Sequence, residues 1–310
     1  MKYTYLYLGS FILANVASCQ EVRTVKVLVH DEADNPIRDV NTIVTFLGHG
    51  VNDTQRKEGL TNHAGIFQAS GTPSLRISVR MEKSGYYRSE SGRLTRDRDH
   101  SSRFLLREIK QPIPLYAKKV HLQIPENREW IAYDLEEGDW VHPHGGGKVA
   151  DLSLMCDTEM TGETTAKGQL KIKFSSIEEV LCLVKEEYYR YSRMKMPYLA
   201  PPEGYKNLWI RQEDSHHDTN AQQDVGYFLR TRVIEQDGKI ISCNYGKISG
   251  DIRFDHRGSR WDAKEDEEKS YATVTLTYYF NPKPNDRNLE FDPSMNLFTE
   301  LDPTERVHEP

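Results

Sequence analysis

Cysteine is scarce in this chain, with four in 310 residues. Once Cys19 is assigned to an N-terminal signal, Cys156, Cys182 and Cys243 remain, an odd number that leaves at least one thiol unpaired in a monomer. At most one disulfide fits, and which pair would form it is open. Each of the three lies in an apolar run (Leu154-Met155-Cys156, Leu181-Cys182-Leu183, Ile241-Ser242-Cys243), which favours buried, inert thiols over a reactive one. The short motifs that announce chemistry are also missing. There is no His-Glu-x-x-His, no Cys-x-x-Cys and no Gly-x-Ser-x-Gly, so the common signatures of zinc peptidases, dithiol redox proteins and serine hydrolases are absent. Gly145-Gly146-Gly147-Lys148 lacks the Ser/Thr and helix start of a phosphate loop, because Val149 opens a strand pattern; a hairpin or bulge explains it. The acidic run Glu265-Asp266-Glu267-Glu268 lacks the alternating Asp spacing and glycine of a calcium loop and reads as solvated. A formal net charge of −6 argues against a phosphate-backbone binder, so nucleic acid is not an expected partner. Beyond the N-terminal stretch, no segment is long and apolar enough to span a bilayer.

Residues 1–18 have the layout of an export signal. Met1-Lys2 gives a positive start, Tyr3–Ala14 is mostly apolar, and small residues lead to Cys19. Val16-Ala17-Ser18-Cys19 resembles a bacterial lipobox, with Val16 where the strongest form has Leu. That resemblance implies lipidation at Cys19 and a membrane connection through that lipid alone; ordinary signal cleavage nearby is the other reading.

From Val25 onward the period is two. Val25, Val27 and Val29 alternate with Lys26, Leu28 and His30. Leu75, Ile77, Val79 and Met81 alternate with Arg76, Ser78, Arg80 and Glu82, so one set is expected on a buried sheet face. Asp34-Asn35-Pro36 makes a turn, with Asn35 expected to accept a left-handed conformation, and Gly65 makes another. Short strands between such turns favour an antiparallel sandwich. On Val27-Leu28-Val29-His30-Asp31, Asn35-Pro36-Ile37-Arg38-Asp39-Val40, Thr61-Asn62-His63-Ala64-Gly65-Ile66-Phe67 and Lys83-Ser84-Gly85-Tyr86-Tyr87, residues 23–110 resemble the carboxypeptidase regulatory-like family. The resemblance implies a transthyretin-type seven-stranded sandwich and is nearly silent on function. Arg88–His100 reads as a charge-rich, solvated excursion, and Phe104-Leu105-Leu106 as the closing strand.

Gln111-Pro112-Ile113-Pro114 marks a boundary, since two prolines do not fit a central strand. Residues 113–298 then form a second, larger mostly-β domain, and residues 299–310 a C-terminal tail. Strands are expected at Val120–Ile124, Trp130–Leu135, Val149–Met155, Leu170–Phe174, Tyr227–Ile234, Ile240–Tyr245 and Tyr271–Phe280, with Gln236-Asp237-Gly238-Lys239 as a hairpin turn. Ile177, Val180, Leu181 and Val184, behind a Ser176/Glu179 capping box, predict one helix over Ser176–Arg190. From Asn281 the chain reads as irregular, anchored by Leu289, Phe291 and Phe298. On Pro114-Leu115-Tyr116-Ala117-Lys118, Gly138-Asp139-Trp140-Val141, Met196-Pro197 and Ala200-Pro201, this half is similar to exported bacterial proteins with the same pairing of domains, a similarity that implies no activity.

Two constellations are candidates for ligand chemistry. His142 and His144 stand two apart on an extended segment, as chelating ligands would; His216, His217 and Asp218 lie in a polar loop, and zinc needs about four such groups converging. Solvated loop histidines are the competing account. Trp140 beside Asp139, and Trp261 beside Asp262, are the best candidates for a shallow saccharide site, an aromatic face taking a sugar ring and a carboxylate its hydroxyls. Core packing is the competing account for the aromatics. No catalytic residue and no cofactor is expected. The fold class read from the sequence is mostly β: an Ig/transthyretin-like sandwich plus a larger mostly-β domain with at most one or two helices. The functional expectation is an exported, non-enzymatic binding or scaffolding protein of the bacterial cell envelope, in the periplasm or at the outer membrane or cell surface, whose partner is an envelope protein or polysaccharide. A carbohydrate-binding module using the Trp loops is the first alternative, and a hydrolase whose site assembles only in three dimensions is the second.

Overall fold

A computed structural model describes residues 21–161, 166–174, 182–185, 192–206, 208–213, 222, 225–256 and 271–310. Among them strand follows strand and no α-helix occurs. The chain divides into two compact units. Of the described residues, the first takes those up to His30, Pro36–Met81 and Glu90–Arg103; the second takes Asp31–Asn35, Glu82–Ser89 and those within Phe104–Pro310.

The N-terminal strands are β1 (Arg23–His30), β2 (Asn41–Leu47), β3 (Gln55–Leu60), β4 (Ile66–Gly71), β5 (Arg76–Glu82), β6 (Ser89–Leu94) and β7 (His100–Leu105). They form two sheets, ordered β4-β1-β7 and β3-β2-β5-β6. The alternation expected from the sequence is what fills the space between them. Val25, Val27 and Val29 of β1 and Ile77, Val79 and Met81 of β5 are all buried. Each such side chain contributes about 1.5–3 kcal/mol on leaving water. Gly71 of β4 comes so close to Phe46 of β2 that a methyl group there would meet the ring at 2.5 Å.

Details around this core differ from expectation. Leu75 precedes β5 and is exposed. The left-handed residue of the first turn is Asp34 (φ 68°), not Asn35. Asn35 instead donates its backbone N–H and its amide to the Asp31 carboxylate at 2.8 and 3.1 Å. Gly65 does turn left-handed (φ 68°), with Asn62 Oδ1 accepting from Ala64 and Ile66 on either side. The charged stretch after Arg88 contributes β6, with only the Thr95–Asp99 connection left as loop before β7.

The second unit holds β8 (Ile113–Ile124), β9 (Ile131–Asp134), β10 (Asp139–Trp140), β11 (Leu152–Met160), β12 (Ala166–Phe174), β13 (Cys182–Lys185), β14 (Trp209–Glu213), β15 (Val225–Gln236), β16 (Lys239–Asp255), β17 (Ala272–Asn281) and β18 (Phe291–Asn296). A five-stranded sheet runs β10-β9-β11-β12-β14, and a six-stranded sheet runs β13-β15-β16-β17-β8-β18. Alternate residues of β17, from Ala272 through Val274, Leu276 and Tyr278 to Phe280, pack with Leu154, Cys156, Leu170 and Ile172 in the core between the sheets. The opposite face of the six-stranded sheet is also covered. Met196, Ala200, Leu289, Phe291 and Val307 bury Leu115, Ala117, Phe228 and Tyr279 there.

The predicted helix over Ser176–Arg190 is not what forms at Cys182–Lys185. That segment is β13, paired antiparallel with β15 from Cys182↔Phe228 to Lys185↔Val225. A neighbouring strand satisfies its backbone groups, and a short amphipathic pattern is a marginal helix without such help. The other residues of that stretch lie outside the described ones. Pro114 sits inside β8, contrary to the boundary expectation. It lies before the pairing with β17 begins at Tyr116, where β18 touches β8 only at Ile113 and Leu115. No ladder bond is asked of it there. The stretch after Asn281 is likewise more regular than expected, since it contributes β18.

Candidate functional site

The loop singled out by its histidines and glycines is built on carboxylates. Asp134, at the end of β9, is buried. One of its oxygens accepts the N–H groups of Glu136 and Glu137 at 2.9 and 3.1 Å, and the other those of Lys148 and Val149, both at 2.9 Å. Burial alone would raise this carboxyl, but the four N–H donors outweigh it and hold the pKa below the usual value. Asp139 repeats the device, accepting from Trp140 N and Gly146 N at 2.8 Å each. A side chain at Gly147 would meet Asp134 Cβ and Trp140 O at 2.9 Å. The glycines therefore let backbone close around carboxylates of the chain itself. Trp140 packs edge-to-face on Tyr133 at 5.4 Å. His142 is exposed and His144 partly so, and among the described residues no group of three or more His, Cys, Asp or Glu is placed to hold a metal. His216, His217, Trp261, Asp262 and Cys19 lie outside the described residues.

Further charged clusters reinforce the same unit. Arg232 grips fully buried Asp151 with two bonds, Nε to Oδ1 at 2.8 Å and Nη2 to Oδ2 at 2.9 Å, and reaches Glu136 at 2.7 Å. Burial pushes the Asp151 carboxyl up against the pull of this guanidinium. Arg211 and Asp251 form a buried pair at 2.5 Å, and Asp251 also accepts from Tyr227 OH and Gln222 N, both at 2.6 Å. Glu290, buried as well, accepts from Tyr87 OH and from the N–H groups of Lys110 and Gln111 at 2.6–2.8 Å. Arg107 and Lys110 stack on the Tyr198 ring at 4.1 and 4.2 Å. Cys156 and Cys243 are buried thiols.

The outer face of the five-stranded sheet has a different character. Along β11 and β12, Leu154, Cys156, Leu170 and Ile172 point into the core, so Met155, Asp157, Glu159, Lys167, Gln169, Lys171 and Lys173 point out. Cross-strand register lines them up with β14. Met155, Lys171 and Ile210 form one row, and Asp157, Gln169 and Gln212 the next. Arg128 pairs with Asp157 at 2.7 Å, and Lys167 with Glu159 at 2.9 Å. Trp130, which directly precedes β9, is exposed and carries the Lys173 ammonium 4.1 Å over its ring. An open groove of about 630 Å³ runs along this face, lined by Arg128, Asp157, Lys167, Gln169, Gln212 and Glu213 among others. None of the residues lining this groove is a candidate from the sequence. Lys167, Gln169, Lys171 and Lys173 alternate as any solvated strand face does, and only register shows which groups it brings together.

No family model matches the chain, and no curated protein matches it. Among solved structures, a streptococcal ancillary pilin is similar at 9% identity over 67% of this chain and 52% of the pilin, with a TM-score of 0.21, so the match spans about half of that pilin's length. A putative carbohydrate-binding protein from Bacteroides uniformis is similar at 7% identity, over 82% of this chain and 97% of that one, also with a TM-score of 0.21. The shaft pilin of Lactobacillus rhamnosus GG shows 7% identity over 75% and 88%, again at 0.21. Likenesses this slight carry no inference about what the chain does.

Proposed function

We propose that this chain is an exported protein of the bacterial envelope that works by holding another molecule rather than by covalent chemistry. The observation that carries this reading is how the polar groups are divided. The buried carboxylates Asp134, Asp151, Asp251 and Glu290 are engaged by backbone N–H groups, arginines or tyrosine hydroxyls that shape the fold. The open outer face of the five-stranded sheet carries groups free to meet a ligand, and among the described residues no bond fixes the Gln169 and Gln212 amides there. Export rests on the signal-like residues 1–18, and lipid attachment on the lipobox resemblance at Cys19. Kinship of residues 23–110 with the carboxypeptidase regulatory-like family, and the boundaries 113–298 and 299–310, belong to the same proposal.

A thermal-shift panel of the mature full chain against envelope polysaccharides and divalent metals tests the binding role, because a ligand of the native state raises the melting temperature by mass action. A polysaccharide is expected to raise it. No shift from any polysaccharide, or turnover of chromogenic glycosides or esters by the purified protein, overturns the reading. A zinc-dependent shift lost in His142→Ala with His144→Ala would instead establish a metal role for that loop. Mass spectrometry of the mature N-terminus tests lipidation, and an unmodified terminus ends it.

A further inference from the structure

We infer that the outer face of the five-stranded sheet binds an acidic polysaccharide, one whose repeating sugars carry carboxylates. The inference rests on the binding reading above and names the ligand class and the residues. Three features of the face converge on it. The first is charge. On a chain with a formal net charge of −6, the outward Arg128, Lys167, Lys171 and Lys173 outnumber the outward Asp157 and Glu159. Arg128 and Lys167 are spoken for by Asp157 and Glu159. Lys171 and Lys173 have no carboxylate partner among the described residues, and they stand two apart on one strand, pointing the same way. An anionic chain lying across β12 supplies the missing counter-charge.

The second feature is apolar surface in the right place. Met155 and the exposed Ile210 flank Lys171 in one cross-strand row. The exposed Trp130 ring holds the Lys173 ammonium close by. Strands about 4.8 Å apart make the Met155–Lys171–Ile210 row about 10 Å long, room for consecutive pyranose rings to lay their C–H faces on it while carboxylates reach the lysines. The third feature is the neighbouring row. Gln169 and Gln212 face each other across β12 and β14, each offering an acceptor and two donors, the planar pairing that vicinal hydroxyls need. An acidic peptide would use the lysines equally well. Its own backbone, however, would pair along the terminal strand β14 rather than lie across the rows of the face, where its N–H and C=O groups find only the two amides. The saccharide is therefore the occupant that uses every group present.

The test is calorimetric titration of the full chain with a defined oligogalacturonate. A neutral glucan of equal length and a poly-glutamate peptide of equal charge serve as comparators. Binding of the oligogalacturonate is expected, weakened at least tenfold by Lys171→Glu with Lys173→Glu and falling with added salt. Gln169→Ala with Gln212→Ala is expected to weaken it several-fold while leaving any poly-glutamate binding unchanged. Melting temperatures of the unliganded variants should match the parent, since all four side chains project from the sheet. Equal affinity for the neutral glucan overturns the acidic assignment, and equal affinity for poly-glutamate overturns the saccharide assignment. If some polysaccharide in the earlier panel binds but is indifferent to all four substitutions, this face is wrong and the binding reading survives. If none binds, both fail.

Discussion

Asp134 accepts four backbone N–H groups, and that makes its protonation a structural event. Its folded pKa lies below the ordinary value of 3.8. The charged form is therefore the one the fold favours. Its contribution is fully present above the unfolded value and is lost as the pH falls through the folded one. Wild-type stability should drop below about pH 4 more steeply than that of Asp134→Asn. At neutral pH the same variant should be less stable by about 1–3 kcal/mol, because an amide leaves buried N–H donors without acceptors. Equilibrium denaturation across a pH series reads both effects. The Arg211–Asp251 pair makes a sharper claim. Both side chains are almost fully buried, so Asp251→Ala strands a guanidinium and should cost about 3–5 kcal/mol. Replacing both by Met and Leu should cost clearly less in the same assay, and equal losses would show that the pairing itself contributes.

At the scale of elements, turns decide register. Gly65 holds φ at 68°, and a side chain there would collide with the carbonyl of Val29. Gly65→Ala should therefore destabilise by at least about 1 kcal/mol, measured as a lowered denaturation midpoint. This glycine was legible in the sequence, and so was β17, whose apolar residues fall on every second position. β14 was not, and the reason is physical. Its inward residues are Arg211 and Glu213, while Ile210 is exposed. The usual pattern is inverted because the inward charge is paired with Asp251 on β16, a partner some forty positions away that no local window contains. Cys182–Lys185 carries helical spacing yet forms a strand for a related reason: its backbone partner is β15, and local spacing carries no trace of it. The groove on the outer face failed to show because Lys and Gln at alternate positions look alike whether they face bulk water or a ligand.

For the molecule as a whole, the division into two compact units predicts two unfolding transitions. Ile77 is fully buried in the first unit. Ile77→Ala should cost about 2–5 kcal/mol and lower one of two transitions in differential scanning calorimetry while leaving the other in place. A single transition shifted as a block would mean that the two units unfold as one cooperative body.

The last residues of the chain make a practical point. Val307 is buried, Tyr279 donates its hydroxyl to the carbonyl of Glu309 at 3.0 Å, and Lys119 N–H donates to Glu305 O at 2.9 Å. Those residues serve as a lid on the sheet beneath them. A version shortened at Leu301 should leave Ala117 and Tyr279 wetted and become sticky, self-associating at concentrations where the intact chain stays dispersed in light scattering.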